Sequence, residues 1–478
     1  MPPLTSTAGP DAAAPRPFAT LPTPRRLPLL GHALQIDKAR FHQNLEAWAR
    51  ELGPVYRLRL GPRRVMVVAD PKLIQAVLRE RPAGYRRSPR MDLVIAEMGL
   101  PPGLFNAEGA DWERQRRMVM AGFDPAHIKR YDAAMQRVAA RLVRRWRAAA
   151  ARGAAIDLRA DLMRYTVDVV AGLAFGYEVN TLEAEADVIQ QHMDRIMPTI
   201  YRRIFTRIPV WRWWPSRADR ELVGHVAALR QAVHGLIDAA RARLAADAAL
   251  RAAPANVLEA MIVAADAPGS GIDDEAIEGN VVTLLLAGED TTANTLAWLL
   301  YLLARHPAAL ARAQAEARGL GLADPDAVPS HAQLGELDFI EACAHEAMRL
   351  KPVAPILTFE PLQPTELGGV AIEPGVLVVT LMRHESVGAQ LEQAAAFVPE
   401  RWLGPDAGTA KRLSLPFGAG PRICPGRYLA LQEIKLALAA VLAHFDIASV
   451  DAPDGGEPAE ELAFTMAPTG LTLRLHAR

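Results

Sequence analysis

The feature that most constrains the fold of this chain is an apolar segment, Val281 to Ala304, that carries two acids near its middle. Its length exceeds the roughly 20 residues that an α-helix needs to cross a bilayer. Glu289 and Asp290 interrupt it, however, and one carboxylate at the centre of a bilayer costs at least about 2.5 kcal/mol. The segment is therefore predicted to be a helix buried inside a large protein, with no transmembrane role.

The length and composition fit a protein that can enclose such a helix. The chain has 478 residues, of which 50% are hydrophobic and 23% charged, as in an ordered globular protein. Its 54 basic and 54 acidic side chains cancel, which argues against nucleic acid as a partner. The basic residues are mostly arginine, which indicates a GC-rich bacterial genome. Two cysteines cannot form a disulfide framework and the N-terminus lacks a signal-peptide pattern, so we expect a cytoplasmic protein.

Hydrophobic periodicity predicts one large α+β unit that is mainly helical. Residues 1–26, rich in proline, alanine and threonine, are predicted to be a flexible arm, and residues 27–478 the folded unit. Alternating residues predict a strand-turn-strand from Pro54 to Asp70, a small sheet from Val353 to Thr380 and a strand at the C-terminus. The predicted helices are Pro71–Arg79, Asp111–Met120, Ala126–Ala151, Asp157–Ala174, Arg217–Ala248, Asp273–Arg305, Leu337–Leu350 and about Pro425–His444.

The segment FGAGPRICPG, Phe417 to Gly426, places Cys424 immediately before the last predicted helix. The positive end of the helix dipole and the free amides there favour a thiolate over a thiol. The glycines of the segment allow the backbone to bend tightly and to approach a flat group, and Arg422 adds a permanent cation. A buried structural cysteine beside a turn is the alternative. Zinc is disfavoured because no second cysteine or histidine lies nearby at ligand spacing.

This segment resembles the F-x-x-G-x-R-x-C-x-G motif of the cytochrome P-450 family, the haem-thiolate monooxygenases. The five specified positions are matched by Phe417, Gly420, Arg422, Cys424 and Gly426. The resemblance implies a mainly α fold with small β-sheets, in a single large triangular-prism domain. It also implies that Cys424 is the axial thiolate of haem b iron, a ligand that favours O–O cleavage.

A second match lies in the apolar helix, where AGEDTT places an acid beside an alcohol. Adjacent helical residues point about 100° apart, so at most one of two neighbouring acids faces a given pocket. The resemblance implies that Thr291 is the oxygen-activating alcohol, that Asp290 helps to deliver protons and that Gly288 leaves room for oxygen. The alternative is that Thr and Asp bond backbone carbonyls and bend the helix.

A third match is EAMR, in which Glu346 and Arg349 lie three residues apart on one helical face. Such pairs are common and contribute little at a surface. In the family the pair is joined by an arginine of a P-E-R motif, here Arg401, and pins the irregular stretch before the cysteine loop. These three residues are therefore assigned to structure.

The segment DWERQR resembles the family's W-x-x-x-R motif on a helix that covers one haem edge. Trp112 and Arg116 lie four residues apart on one face, so both can converge on a carboxylate, and the resemblance implies that they hold a haem propionate. A solvated basic helix is the alternative reading. The full set of implied haem contacts is Trp112, Arg116, Ala287, Gly288, Phe417, Gly418, Arg422, Cys424 and Gly426.

The sequence departs from the family at one position. Family members commonly carry a propionate-binding arginine just upstream of the E-L-G-G turn, and here Phe359 and Glu360 occupy that place. Arg422 and Arg116 then hold the propionates alone, or Arg383 or His384 substitutes.

The resemblance also implies a pocket for a hydrophobic substrate. No charged group offers an obvious anchor for a polar head, although Arg86, Arg87 and Arg90 could meet a carboxylate. The cluster VWRWWP, Val210 to Pro215, either touches a membrane surface or packs as an ordinary loop. The apolar candidates for the pocket are Met91, Leu93, Val94, Leu100, Leu285, Ala287, Val353, Ala354, Ile356, Leu357 and Met466.

Two functions remain open on these grounds. The first is a monomeric monooxygenase that inserts one atom of O2 into an apolar substrate by hydroxylation or epoxidation. Because only 54 residues follow Cys424, we expect electrons from a ferredoxin or flavodoxin with its NAD(P)H reductase, docked at Arg114, Arg117 and Arg427. The second is a haem-thiolate gas sensor or carrier without turnover. The Asp290-Thr291 pair favours the enzyme, because a sensor has no need to deliver protons. The same pair also argues against a peroxide-driven variant of the enzyme.

Overall fold

Helices make up most of the folded chain. The computed structural model describes residues 14–26, 31–176, 179–183, 188–206 and 208–478. Within these ranges six short 3-10 helices are found, at Phe18–Thr20, Ala33–Gln35, Val210–Arg212, His384–Val387, Pro399–Trp402 and Gly420–Arg422. The α-helices are α1 (Phe41–Leu52), α2 (Pro71–Arg79), α3 (Pro89–Glu97), α4 (Gly109–Gly122), α5 (Pro125–Ala151), α6 (Leu158–Phe175), α7 (Val188–Phe205), α8 (Arg217–Ala246), α9 (Ala248–Ala252), α10 (Val257–Ala265), α11 (Asp274–Arg305), α12 (Pro307–Gly319), α13 (His331–Leu334), α14 (Asp338–Leu350), α15 (Ala407–Leu413) and α16 (Arg427–His444).

The strands of the described ranges form four small sheets. The largest has the order β2-β3-β9-β6-β4, and the others are β1-β8-β7, β10-β13-β5 and β11-β12. The β2-β3 hairpin confirms the strand-turn-strand prediction. Strands β6 to β9 confirm extended structure from Val353 to Thr380, but they belong to two sheets and not to one. The strands are β1 (Arg16–Pro17), β2 (Val55–Leu60), β3 (Arg63–Val68), β4 (Tyr85–Arg87), β5 (Ile156–Asp157), β6 (Ile356–Pro361), β7 (Thr365–Leu367), β8 (Val370–Ile372), β9 (Val376–Leu381), β10 (Phe445–Asp451), β11 (Glu460–Leu462), β12 (Met466–Pro468) and β13 (Thr472–Ala477).

The apolar segment is the central helix of the core. Asp273 caps the N-terminus of α11, because its carboxylate accepts a hydrogen bond from the Ala276 N–H. The helix packs against α6, α14 and α16, and residues 292–300 are all buried. It is thus an interior helix, as its two acids predict. Among the described residues, no helix combines the length and apolarity that membrane crossing requires.

Part of the predicted arm is packed rather than irregular. Arg16 and Pro17 pair in parallel with β8, and Leu21 is buried. The Pro22 carbonyl accepts a hydrogen bond from the Arg57 N–H. The prediction of a flexible arm therefore does not hold for residues 14–26, because this stretch supplies backbone and apolar contacts to the sheets. Residues 1–13 lie outside the described residues.

Candidate active site

The cysteine loop is held by its own backbone. The Cys424 N–H donates to the Phe417 carbonyl at 3.0 Å, which closes the loop just before α16. Gly420 has φ +71°, and a Cβ there would lie 2.6 Å from the Leu78 carbonyl oxygen. Only glycine fits this position, because the backbone of α2 approaches it closely. Gly418 also has a positive φ, +74°, and a Cβ there would have no atom within 4 Å.

The pKa of the Cys424 thiol differs from the value range that the sequence predicts. Burial raises the pKa of the Cys424 thiol, and a hydrogen bond from the Gly426 N–H together with the cations of Arg116 and Arg427 lowers it in part. The helix end alone therefore does not produce the predicted thiolate, because removal of the sulfur from water outweighs these contributions. A metal ion at the sulfur would reverse the balance, since a coordinating thiol is deprotonated.

Helix α4 brings two of the predicted side chains to this loop. Trp112 is buried, and the Arg422 guanidinium lies 5.2 Å from the centre of its ring. Arg116 is close enough to Cys424 for their charges to interact, and it forms no salt bridge within the described part of the chain. Arg422 is engaged, because it pairs with Glu108 and donates to the Ala107 carbonyl at 2.7 Å.

On the opposite side, Thr291 and Asp290 make different contacts. The Thr291 hydroxyl donates to the Ala287 carbonyl at 2.7 Å, one turn earlier in α11. Asp290 accepts hydrogen bonds from Arg159 at 3.2 Å and from the Thr465 hydroxyl at 2.6 Å. The acid thus faces a polar network on α6 and near β12. The two side chains diverge, as expected for neighbours on a helix.

Gly288 has a packing reason to be glycine. A Cβ at this position would lie 2.5 Å from Cγ2 of Val170 on α6. Its missing side chain therefore makes room for the neighbouring helix. The expectation that Gly288 also leaves space for oxygen stays a prediction.

The predicted structural triad forms around the Glu346 carboxylate, which is fully buried. Arg349 donates to it at 2.7 and 2.8 Å, and Arg401 donates at 2.9 Å. The Trp402 indole and the Val398 N–H, at 2.8 and 2.9 Å, complete its partners. Arg349 also donates to loop carbonyls at residues 386, 394 and 396, so this network holds the irregular stretch in place.

The chemistry of the residues on the cysteine loop and on α11 fits a flat, anionic cofactor. In α11, residues 277–282 and 292–300 are buried, yet Ala287 between them is exposed. The open side of Gly418 and the partial exposure of Cys424 belong to the same loop region. Exposure in the middle of an otherwise buried helix leaves an apolar surface without a protein partner. A sulfur donor, arginines and an apolar helix face are the surroundings that an anionic porphyrin needs.

Comparison with known proteins decides the family. A family model described as Cytochrome P450 matches residues 21–474. The chain belongs to the cytochrome P450 family.

Relatives of this P450 cover almost its whole length. Cyclooctatin synthase of Streptomyces melanosporofaciens is 32% identical, with 87% of this chain and 88% of the relative covered. Pentalenene oxygenase of Streptomyces avermitilis is 28% identical, covering 96% and 98%. The crystal structure of the cytochrome P450DA heme domain superposes with a TM-score of 0.84 at 26% identity, covering 98% of this chain and 99% of that one. The P450 is therefore a monooxygenase with haem b as its cofactor, on a mainly helical fold with small sheets.

Several residues that the sequence offered as haem or substrate contacts are bound to other groups or buried in the core. Arg383 binds Glu46 and Glu460 and is buried, so it has no free donor for a haem propionate. Among the pocket candidates, Val94, Leu100, Leu285 and Met466 are buried within the apolar core. Those that keep accessible surface are Met91, Leu93, Ala287, Val353, Ala354, Ile356 and Leu357.

Sequence reasoning missed three groups close to the site. Glu108 accepts from Arg422, and Arg159 binds Asp290 across 131 positions of sequence. Arg81 pairs with Glu108 at 3.4 Å. None of these contacts has a local sequence signal, because each partner comes from a distant segment.

Proposed function

We propose that this P450 oxygenates an apolar organic substrate without an acidic head group, by hydroxylation or epoxidation. The observation that carries the proposal is that the three arginines before Trp112 are occupied by protein groups. Arg86 pairs with Glu360 at 2.9 Å, and Arg87 donates to the Phe105 carbonyl at 2.6 Å. Arg90 donates to carbonyls at the C-terminal end of α7, at 2.7 Å to Ile204 and 2.9 Å to Arg203. Arg86 and Arg90 are thus held by protein groups, and Arg87 is partly engaged, so none of the three is a free anchor for a substrate carboxylate.

The relatives support the same substrate class. One is named for oxygenation of pentalenene, a hydrocarbon. The accessible pocket candidates are aliphatic, and burial of such surface favours binding by about 25 cal/mol per Å². The comparisons do not favour the alternative of a gas sensor or carrier, because the curated relatives are named as oxygenases, hydroxylases or synthases.

A matched pair of ligands tests the substrate class. The haem absorption spectrum of the holoenzyme is titrated with a polycyclic hydrocarbon and with a fatty acid of the same carbon number. We expect the hydrocarbon to shift the spectrum at the lower concentration and to give oxygenated product. Tighter binding of the fatty acid that is lost in Arg90→Ala would contradict the proposal.

We further propose that Cys424 is the axial ligand and that Trp112, Arg116 and Arg422 lie along the haem, with Phe417, Gly418 and Gly426 in its cradle. Haem ligated by a thiolate supplies the activation of dioxygen. The chain itself holds the cofactor through the cysteine loop, excludes water with the buried face of α11 and supplies protons.

We propose that Asp290 and Thr291 both serve proton delivery, with water bridging them, because the two side chains diverge. Asp290 reaches solvent through Arg159, whose side chain is 44% exposed. The Thr291 hydroxyl donates its hydrogen to the Ala287 carbonyl. Its oxygen can still accept a hydrogen bond from a proton donor. Ala287 and Gly288 flank this hydroxyl on the accessible face of α11.

Thr291→Ala tests this route. We expect haem and substrate binding to persist while product per NAD(P)H falls at least about tenfold and peroxide rises, since proton delivery contributes factors of this size or more. Thr295→Ala is the matched control, because Thr295 makes the same kind of bond, to the Thr291 carbonyl at 2.8 Å, from a buried position. An equal yield of product per NAD(P)H in both variants would show that Thr291 has no part in proton delivery.

Electrons are proposed to come from a ferredoxin or flavodoxin with its NAD(P)H reductase. Arg117 is exposed on α4 beside Arg116, and Arg427 lies at the start of α16, so an acidic protein finds cations near the cysteine. Arg114 contributes less, since it is paired with Asp111. Arg117→Glu should slow reduction by the partner but not by dithionite, and Arg217→Glu on α8 is the control. A cytoplasmic location is proposed because both cysteines are free thiols.

A further inference from the structure

The strand pair β4-β6 contains the position at which the family's propionate arginine is missing. In this antiparallel pair Arg87 lies directly opposite Phe359, and Arg86 lies opposite Glu360. Directly opposite residues project from the same face of a sheet, and consecutive residues from opposite faces. Arg86 and Glu360 form an ion pair at 2.9 Å on one face. Arg87 therefore shares the other face with Phe359.

Three guanidinium groups gather on the face that Arg87 shares with Phe359. Arg87 lies 3.7 Å from the centre of the Phe105 ring, and Arg81 lies 4.6 Å from the centre of the Phe359 ring. Arg422 joins them, because the pKa of Arg87 is lowered first by burial and then by the nearby cations of Arg81 and Arg422. The neighbours of these three guanidinium groups are thus mainly aromatic rings and backbone carbonyls, and few of them are carboxylates.

The cluster has more positive than negative charge. Glu108 is shared, since it pairs with Arg81 and Arg422 and accepts from the Arg87 N–H at 2.8 Å. Asp92 is the other nearby acid, and burial followed by the charge of Glu108 raises its pKa to about 6. Three cations therefore face at most two carboxylates among the described residues. Unbalanced charge away from water is costly.

One donor of the cluster is also left without a partner. Arg81 is buried, and its Nε makes no hydrogen bond within the described chain. Burial and then the cation of Arg422 lower the pKa of Arg81 to about 10. A buried cation with an unused donor indicates that an anionic group belongs beside it.

We propose that Arg87, supported by Arg81, binds a haem propionate in place of the arginine that Phe359 replaces. In this chain the cation stands at Arg87 on β4, directly opposite Phe359 on β6, and projects from the same face of the sheet as Phe359. Of the two substitutes named from the sequence, Arg383 is bound to Glu46 and Glu460, and burial lowers the pKa of His384, which disfavours a cation there. The proposal depends on the haem cofactor of the family and not on the proposed substrate.

Haem retention tests the proposal without any activity measurement. Holoenzyme is mixed with excess apomyoglobin, and the transfer of haem is followed by absorption. We expect Arg87→Gln to release haem about tenfold faster than the unsubstituted protein, the effect of one lost charge-assisted hydrogen bond. Arg86→Gln is the matched control on the other face of the same strand, and its release rate should change less than about twofold.

Two further measurements separate propionate binding from general loosening. In Arg87→Gln/Phe359→Arg the cation returns from β6, so slow haem release should be restored. Resonance Raman bands of propionate bending should shift in Arg87→Gln and not in Arg86→Gln. If Arg87→Gln does not fold, Arg87→Lys keeps the charge and should show an intermediate release rate. Equal release from the Arg86 and Arg87 variants, or unshifted propionate bands, would overturn the proposal.

Discussion

Glu433 on α16 is a buried carboxyl that the proposed chemistry does not use. It receives a hydrogen bond from the Thr292 hydroxyl, while its Oε1 has no partner within the described chain. Burial raises its pKa to about 8. The group is therefore mostly protonated at neutral pH, and it links α16 to the central helix as a neutral acid.

The pH dependence of stability follows from this shift. An acid whose pKa is raised on folding contributes fully to stability below its unfolded pKa, and the contribution is lost as pH rises toward the folded value. We expect Glu433→Gln to become more stable relative to the unsubstituted protein by roughly 3 kcal/mol between pH 5.5 and pH 8, at about 1.4 kcal/mol per unit. Unfolding midpoints of both proteins across this pH range measure the change in their relative stability. A constant difference would show that Glu433 ionises normally.

Single residues differ in how far the sequence predicts them. The cysteine loop and the triad around Glu346 could be read from motifs, because their residues are fixed by local spacing. Glu433 and Arg87 could not, since their environments depend on helices and strands that lie far away in sequence. The thiol of Cys424 shows the same limit, because local helix-end effects predicted a low pKa and tertiary burial reversed it.

At the scale of elements, strong caps and periodicity predicted helices well. The predicted bounds of α2, Pro71 to Arg79, match the structure, with Asp70 as the N-cap. Helices without such signals were missed. α10 is apolar on nearly all sides, so it has no clear period, and α7 carries Pro198 in its interior. Packing in the core forms these helices where the local pattern does not.

The contact between α6 and α11 gives a prediction at this scale. Gly288→Ala should lower the free energy of unfolding by about 1–3 kcal/mol, because the new methyl group overlaps Val170. Val170→Ala in the same protein should recover part of the loss. Gly172→Ala on α6 is the control, since its Cβ would meet Ala134 at an ordinary 3.9 Å. Urea unfolding of the unsubstituted protein, the Gly288→Ala and Val170→Ala variants and the double variant measures the coupling, and additive effects would contradict close packing at Gly288.

At the scale of the whole molecule, one buried ion network joins distant parts of the chain. Glu46 of α1 binds Arg383 at 2.7 Å, and Arg383 binds Glu460 of β11 at 2.7 Å. His42 and Lys351 also contact Glu460, at 2.8 and 2.6 Å. The network therefore ties the first helix to the centre and to the C-terminal hairpin. Motif analysis did not find it, because no family motif among those recognised contains these residues.

Glu460→Gln should destabilise the protein by about 3–5 kcal/mol at pH 7, since it leaves buried cations unpaired. The partners hold the pKa of Glu460 far below its ordinary value despite burial. A depressed pKa contributes stability above the unfolded pKa that is lost as pH falls through the folded value. The stability of the variant should therefore vary less with pH in acid than that of the unsubstituted protein. Unfolding midpoints from about pH 5 down to about pH 2 measure this, because the loss begins only below the ordinary glutamate pKa, and parallel curves in that range would contradict it.

Arg90 has a consequence for attempts to alter what this P450 accepts. Its guanidinium binds main-chain oxygens at the end of α7, including those of Arg203 and Ile204, and no described side chain of that helix bonds to it. A mutagenesis library that varies only side chains of α7 leaves this attachment intact. Substitution at position 90 alone would release the helix end, so engineered access for bulkier compounds should begin there.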